Sequence, residues 1–273
     1  MTCAALLEQW TREATEPFEG WDFSHIADRV TEAEPPWDYL ALAREAVRGS
    51  RDLLDVATGG GEVLSTLAPF PGRVTATEGY PPNVPVARRR LAPLGVEVFQ
   101  ANTASGMPFA DGRFDLVINR HGGFRPEEMH RVLQPGGAFL SQQVDGRDNL
   151  ADLIAAFDAR PMWPHNTLEL VSGRFSDLGC TIVRAEAWHG PVTFADVGAL
   201  VYFLKAVPWV VEGFDVGQHL EVLEALERRR AAGRSLQFTY SRFLIEVRKP
   251  GWRSGRRPVQ GRTSQVRVVA GAI

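Results

Sequence analysis

With 273 residues, 44% of them hydrophobic, the chain can bury a full core, and its length suits one large domain or two small ones. Its 30 basic against 33 acidic side chains leave a formal charge of −3, which gives a polyanion no global attraction, so nucleic-acid binding would need a local patch. Cys3 and Cys180 lie too far apart for a zinc ribbon or a disulfide framework, the opening MTCAALLEQWTREATEPFEG lacks the basic start and long apolar centre of a signal peptide, and no run approaches the ~18 apolar residues of a membrane span, so a soluble cytoplasmic protein is expected.

Taken in chain order, the first 35 residues, with GWDFSHIADR, are expected to form a helical cap beside a ligand site. PPWDYLALAREAV opens on proline and spaces its apolar residues as a helix does, and DLLDVAT is a short apolar run that reads as a buried strand, followed by a helix from Glu62. RVTATEG is a strand, NVPVARRRLAPLG a helix closed by Gly95, and VEVFQAN and FDLVINR are strands. EEMHRVLQPGG reads as a helix ending at Pro135 and Gly136, and AFLSQQV as the next strand. Apolar strands separated by helices imply an α/β fold, doubly wound, with a mostly parallel sheet covered on both faces.

Past Val144, DNLADLIAAFDARP and TLELVSGRFSDLG are helical, CTIVRAEAW is a strand, and SRFLIEVRK is a last strand after the helix VLEALERRRAA. The aromatic stretch FADVGALVYFLKAVPWVVEGF between them makes a cap insertion at about 190–235 within a domain of 36–250. Residues 251–273 hold five arginines and no acid, and are expected to be a flexible basic tail.

The stretch LLDVATGGGEVLSTLA places three glycines between a strand and a helix, the position at which open α/β sheets carry a ligand. A phosphate-binding P-loop would need Lys and Ser or Thr after its last glycine, and none is present. In a dinucleotide fingerprint starting at Gly59 the third glycine would fall on Leu64, which weakens a nicotinamide reading without removing it. Glu78 ends the second strand of the set where one carboxylate can accept from both hydroxyls of a ribose, and Asn102 ends the third with an acceptor for an adenine amine.

These runs, D-x-A-x-G-x-G at Asp55, then MPFADGRFDLV, then RVLQPGG, resemble the class I S-adenosylmethionine-dependent methyltransferases of the bacterial type 11-like subgroup. The resemblance covers about residues 40–145 well and implies a seven-stranded Rossmann-like sheet with helical caps. It implies S-adenosylmethionine as cofactor and S-adenosylhomocysteine as product, with Asp55, Ala57, Thr58, Gly59 and Gly61 along the methionine part and Glu78 on the ribose. Tyr80 and Asn83 would flank the adenine, Asn102 and Thr103 its edge, and Asn119 the turn after the fourth strand. Two positions depart from the family: Ala57 stands for the first glycine, at little cost if its φ is negative, and Asn102 stands for the usual Asp, keeping one acceptor.

Methyl transfer from a sulfonium is an in-line displacement for which alignment and exclusion of water supply much of the rate. His121, just past the fourth strand, is the candidate catalytic base if the acceptor must lose a proton. Gln142 and Gln143 are candidates for holding substrate polar groups, with one of the pair facing away because neighbours on a strand alternate. Trp37, Tyr39, Trp209 and Phe214 either sandwich a planar acceptor or serve simply as core. The remaining histidines show no metal-ligand spacing, so no metal is expected. The reading is methylation of a small metabolite or natural product by a monomer or homodimer, without membrane or nucleic-acid partners. The alternatives are an RNA methyltransferase using ARRR, ERRR and the tail, or a binding or regulatory protein that keeps the fold.

Overall fold

The computed structural model describes residues 3–103, 106–251 and 267–270. The N-terminal segment holds α1 (Cys3–Thr15) and a short strand, β1 (Val30–Glu32). A regular alternation follows: α2 (Tyr39–Arg48), β2 (Asp52–Val56), α3 (Glu62–Ser65), β3 (Arg73–Glu78), α4 (Asn83–Leu91), β4 (Glu97–Gln100), β5 (Phe114–Arg120), α5 (Pro126–Val132) and β6 (Leu133–Val144). The second half adds α6 (Ala151–Ala156), α7 (Leu168–Asp177), β7 (Thr181–Phe194), α8 (Val197–Ala206), α9 (Leu220–Ala231), β8 (Leu236–Arg248) and β9 (Arg267–Ala270).

All the described strands join one sheet in the order β4-β3-β2-β5-β6-β8-β7-β1, with β9 also on β7. The run from β4 to β6 is parallel, and β8 lies antiparallel between β6 and β7. The chain order reverses between β2 and β5, so the crevice at the carboxyl ends of those two strands is where such a sheet accepts a ligand. The seven expected strands are β2 to β8; β1 and β9 are additions at the β7 edge. β9 lies within the segment expected to be a flexible tail, whose residues 252–266 and 271–273 fall outside the described residues.

Alternation along the central strands divides the interior into two cores. Leu53, Leu116, Ile118 and Leu140 meet α2, α4, α6, α8 and the N-terminal segment on one face, whereas Leu54, Val56, Val117 and Phe139 meet α5 and α7 on the other. The cap is built on the first face, where α1 packs against α8. β7 runs on to Phe194 because it pairs with β8 almost throughout, so the insertion begins with α8, slightly later than residue 190.

Two helices are shorter than the sequence pattern suggests. α3 is a single turn, stopped before Pro69 and Pro71, which cannot continue a helix. α5 ends at Val132, and RVLQPGG crosses into β6 with Gly136 at φ +79°. A Cβ on Gly137 would lie 2.9 Å from the Gln134 carbonyl oxygen and 3.2 Å from that of Asp115, so the second glycine permits close passage against β5.

Asp115 ties the start of β2 to β5, accepting from the Ser50 hydroxyl and the Asp52 N–H with one oxygen and from the Arg51 N–H, at 2.8 Å, with the other. Asp115→Ala leaves these donors without the carboxylate and is expected to cost about 1–3 kcal/mol in urea denaturation, with ligand affinity at the far end of the sheet unchanged. A stability equal to wild type would show that the clamp does not hold these strands.

Candidate active site

The turn after β2 is a run of left-handed residues, Ala57 at φ +57°, Gly59 at +65° and Gly61 at +82°. Its bareness serves close packing: a Cβ on Gly59 would meet Trp21 Cδ1 at 2.3 Å, and one on Gly61 would meet Leu91 Cγ of α4 at 2.7 Å. Ala57, expected at negative φ, instead holds a conformation that costs a non-glycine residue roughly 1 kcal/mol. The turn is pinned by Thr58 N–H donating to Thr77 O at 2.8 Å and by Arg90 donating to Gly60 O at 2.8 Å; Arg90 also pairs with Glu62.

Glu78, at the carboxyl end of β3, reaches back to this turn. Gly59 N–H donates to Glu78 Oε2 at 2.7 Å and Tyr80 N–H to Oε1 at 2.6 Å. Burial raises the Glu78 pKa, and these backbone donors oppose that rise. Asp55, at the end of β2, is buried too, and its pKa is pushed up to about 7, chiefly by desolvation, with Thr58 opposing and the Glu78 charge adding to it. The Thr58 hydroxyl, beside Asp55 but outside hydrogen-bond geometry, is buried without a partner. Two buried carboxylates and an orphaned hydroxyl make an acceptor-rich crevice, which fits a ligand that brings a cation and a diol.

Beyond the switch point, the carboxyl ends of β5 and β6 carry two polar rows. On the α5 and α7 face, the Asn119 amide donates to Val56 O at 2.8 Å and its oxygen accepts from Ser141 and Gln143. Gln143 also donates to Gly122 O at 2.9 Å. Asn119 is fully buried, so both it and Gln143 act by holding strands and loop together. On the cap face, Trp37 Nε1–H donates to Gln142 Oε1 at 2.7 Å, and Gln142 Nε2 lies 3.0 Å from His121 Nε2. Indole nitrogen only donates, which fixes the orientation of the Gln142 amide and makes His121 Nε2 the acceptor.

His121, at φ +60°, therefore carries its proton on Nδ1 when neutral, and its one lone pair is already used. Its pKa is held well below 6.5, by the crowding around it and then by the Arg242 and Arg120 charges. Below pH 6.5 the unfolded chain takes up a proton here that the folded chain resists, so this group's contribution to stability falls as pH drops through that value.

The other candidates separate. Tyr80 is exposed at 61% on the outer lip of the crevice, and Asn83 is buried in the first turn of α4. Asn102 is exposed just past β4, and the Thr103 hydroxyl donates to Gly123 O at 3.1 Å, joining the loops after β4 and β5. Tyr39 is buried with its hydroxyl on Asn119 O at 3.1 Å. Trp209 stands edge-on to Trp21, centroids 5.6 Å apart, and 6.1 Å from Trp163, forming an aromatic rim. Phe214 packs on Phe157 and His219, where it is cap core. Trp21, Trp163, Arg120 and Arg242 join the site without having been singled out, and Arg90, noted only within the ARRR run, joins it at the glycine turn; GWDF, already assigned to a cap, signalled Trp21 in the sequence.

Residues 54–141 match the family described as Methyltransferase domain. Demethylmenaquinone methyltransferase of Chlorobaculum parvum is 37% identical over 153 residues, 51% of this chain and 60% of that protein. The chain thus spans about 60% of the length of the first curated relatives it matches. An uncharacterized methyltransferase of Synechocystis is 26% identical over 61% of this chain and 84% of that protein. Among solved structures, a candidate methyltransferase from Bacillus halodurans C-125 superposes with a TM-score of 0.55 at 24% identity, covering 78% of this chain and 99% of that one, which speaks to the fold. Strand order, glycine turn and matched segment are together similar to those of the class I S-adenosylmethionine-dependent methyltransferase family. S-adenosylmethionine is the cofactor of that family.

Asp55 gives a pH-dependent prediction. Its folded pKa lies above the ordinary 3.8, so its burial cost is absent below about pH 4, grows as pH rises toward 7, and is constant above. Asp55→Asn is expected to stabilise the ligand-free protein by about 1–3 kcal/mol at pH 8 and to have much less effect at pH 4.5, as measured by paired urea titrations. An equal effect at both values would remove the carboxylate's ionisation as the cause.

Proposed function

We propose that the protein transfers the methyl group of S-adenosylmethionine to an oxygen, nitrogen or carbon atom of a small-molecule acceptor. The observation that carries this reading is the commitment of Gly59 N–H and Tyr80 N–H to Glu78. In a dinucleotide or phosphate site such backbone donors face the phosphates, and a following helix adds its dipole. Here the donors are taken, two carboxylates lie beside the turn, and α3 is one turn long. That electrostatic setting repels a pyrophosphate and suits a sulfonium and an ammonium. The relative named for demethylmenaquinone supports a small acceptor. So does the arginine run of α4, where Arg88 donates to Val98 O, Arg89 pairs with Glu19, and Arg90 is taken by Gly60 and Glu62.

When bound, S-adenosylmethionine supplies an electrophilic methyl carbon that a nucleophile displaces in line. Glu78 retains lone pairs on both oxygens that would accept from the ribose hydroxyls, while Asp55 and the Thr58 hydroxyl would hold the methionine part. Tyr80 and Asn83 would flank the adenine, and Asn102 and Thr103 would meet its edge. Trp21, seated on Gly59, excludes water from that side together with Trp209. Gln142 and His121 orient the acceptor between Trp37 and the crevice; His121 takes a proton only when Gln142 turns away from Nε2.

The test is a comparison of melting points with S-adenosylmethionine, S-adenosylhomocysteine and NAD, since a ligand that binds only the native state raises its melting point. The two adenosyl compounds are expected to stabilise and NAD to leave the curve unmoved; stabilisation by NAD alone would overturn the reading. In calorimetry Glu78→Ala is expected to weaken S-adenosylhomocysteine by about 1–3 kcal/mol, and wild-type affinity would remove the ribose assignment. If the adenosyl compounds bind but no acceptor is ever methylated, the fold is retained for binding alone.

A further inference from the structure

Strand registers place a second polar group on the cap face, extending from the crevice toward β6 and β8. Ile118 pairs with Asp55, Arg120 with Gln142, and Val144 with Arg242. Because side chains alternate, Asp55, Arg120, Gln142 and Arg242 share one face of the sheet, and Tyr240, two residues from Arg242, shares it too. Glu32 of β1 reaches the same place, with Tyr240 donating its hydroxyl to Glu32 Oε1 at 3.2 Å.

The arginines of this row are unevenly held. Arg242 is half-buried, lies over the Tyr240 ring at 4.0 Å, donates to Asn149 Oδ1 and gives 3.1 Å to Ser241 O. Among the described residues, no hydrogen bond or ion pair engages the Arg120 guanidinium, which is exposed at the end of β5. Desolvation lowers the pKa of both arginines; the two guanidiniums are also near enough for Arg120 to lower that of Arg242, while Tyr39 and Glu32 act on Arg120 in the opposite sense. Glu32 is the one carboxylate acting on both, and His121 between them stays neutral. Two fixed positive charges against one negative leave an uncompensated charge on a wall flanked by Trp37 and Tyr240. Like charges held side by side repel, and such an arrangement is suited to a bound anion.

We propose that Arg120 and Arg242 form the recognition site for a carboxylate on the methyl acceptor, so that the acceptor is an anionic small molecule anchored at the β5, β6 and β8 ends. Arg120 supplies the open guanidinium for a bidentate bond, and Arg242, held on Tyr240 and Asn149, supplies the fixed charge. The location rests on the methyltransferase reading, which puts the acceptor beside His121 and Gln142; the charge imbalance itself does not.

The probes are 4-hydroxybenzoate and its methyl ester, which share a ring and differ in the carboxylate charge. Each is titrated by calorimetry into the full chain, alone and saturated with S-adenosylhomocysteine, at low salt and again at moderate salt. The acid is expected to bind at least about tenfold more tightly than the ester, with a preference that shrinks as salt rises. Arg120→Met, at an exposed residue whose loss leaves the fold intact, is expected to erase the preference while S-adenosylhomocysteine affinity stays unchanged; Arg120→Lys is expected to keep part of it. Equal binding of acid and ester, no binding of either at millimolar concentration, or an undiminished preference in Arg120→Met would each overturn the proposal. A chain that prefers the acid but takes no S-adenosylhomocysteine would sink the methyltransferase reading and leave the anion site standing.

Discussion

The Glu78 carboxylate is the point on which the cofactor side of this structure turns. It stands at the end of one strand and binds backbone N–H groups on both sides of it, one in the glycine turn after β2 and one in its own turn after β3. A buried carboxylate is costly unless it is met by hydrogen bonds, and here two backbone donors meet it. In doing so it sets the curvature of the glycine turn and removes those donors from any phosphate. One side chain thereby shapes the crevice and leaves it rich in acceptors, and the proposed sulfonium and ribose preference rests on both.

Around that point the sheet divides the work between its two faces. Toward α5 and α7, Asn119, Ser141 and Gln143 bond one another and tie β5 and β6 to β2. Toward the cap, Gln142, His121 and Arg242 are held by Trp37, Asn149 and Tyr240, whereas the Arg120 guanidinium beside them is exposed. Neighbouring residues on one strand, Gln142 and Gln143, thus carry different duties because a strand turns its side chains alternately outward and inward.

Much of this was legible in the sequence. Apolar strand runs, helix-closing glycines and the order of the three motifs gave the parallel core, the switch point and the positions of Asp55 and Glu78. Local signals failed where tertiary contact decides. Ala57 takes a left-handed conformation because the turn is drawn onto Glu78 and Thr77, which no propensity of alanine reveals. The helix through RVLQPGG stops early because β6 needs those residues to pass close to β5. Asn119 is expected in the turn after this strand as a ligand for the cofactor, but it lies within β5, and only the three-strand contact shows it to be a staple. Arg120 and Arg242 are separated by 122 positions and become neighbours through strand register alone, and Trp21 joins the site through a close approach to Gly59.

The most direct measurement is a crystal structure of the protein grown with S-adenosylhomocysteine. It is expected to show the ribose hydroxyls on Glu78, the amino acid part against Asp55 and Thr58, and the sulfur directed toward Gln142 and His121. A nucleoside bound elsewhere, or one whose sugar leaves the Glu78 oxygens untouched, would contradict the account at its centre.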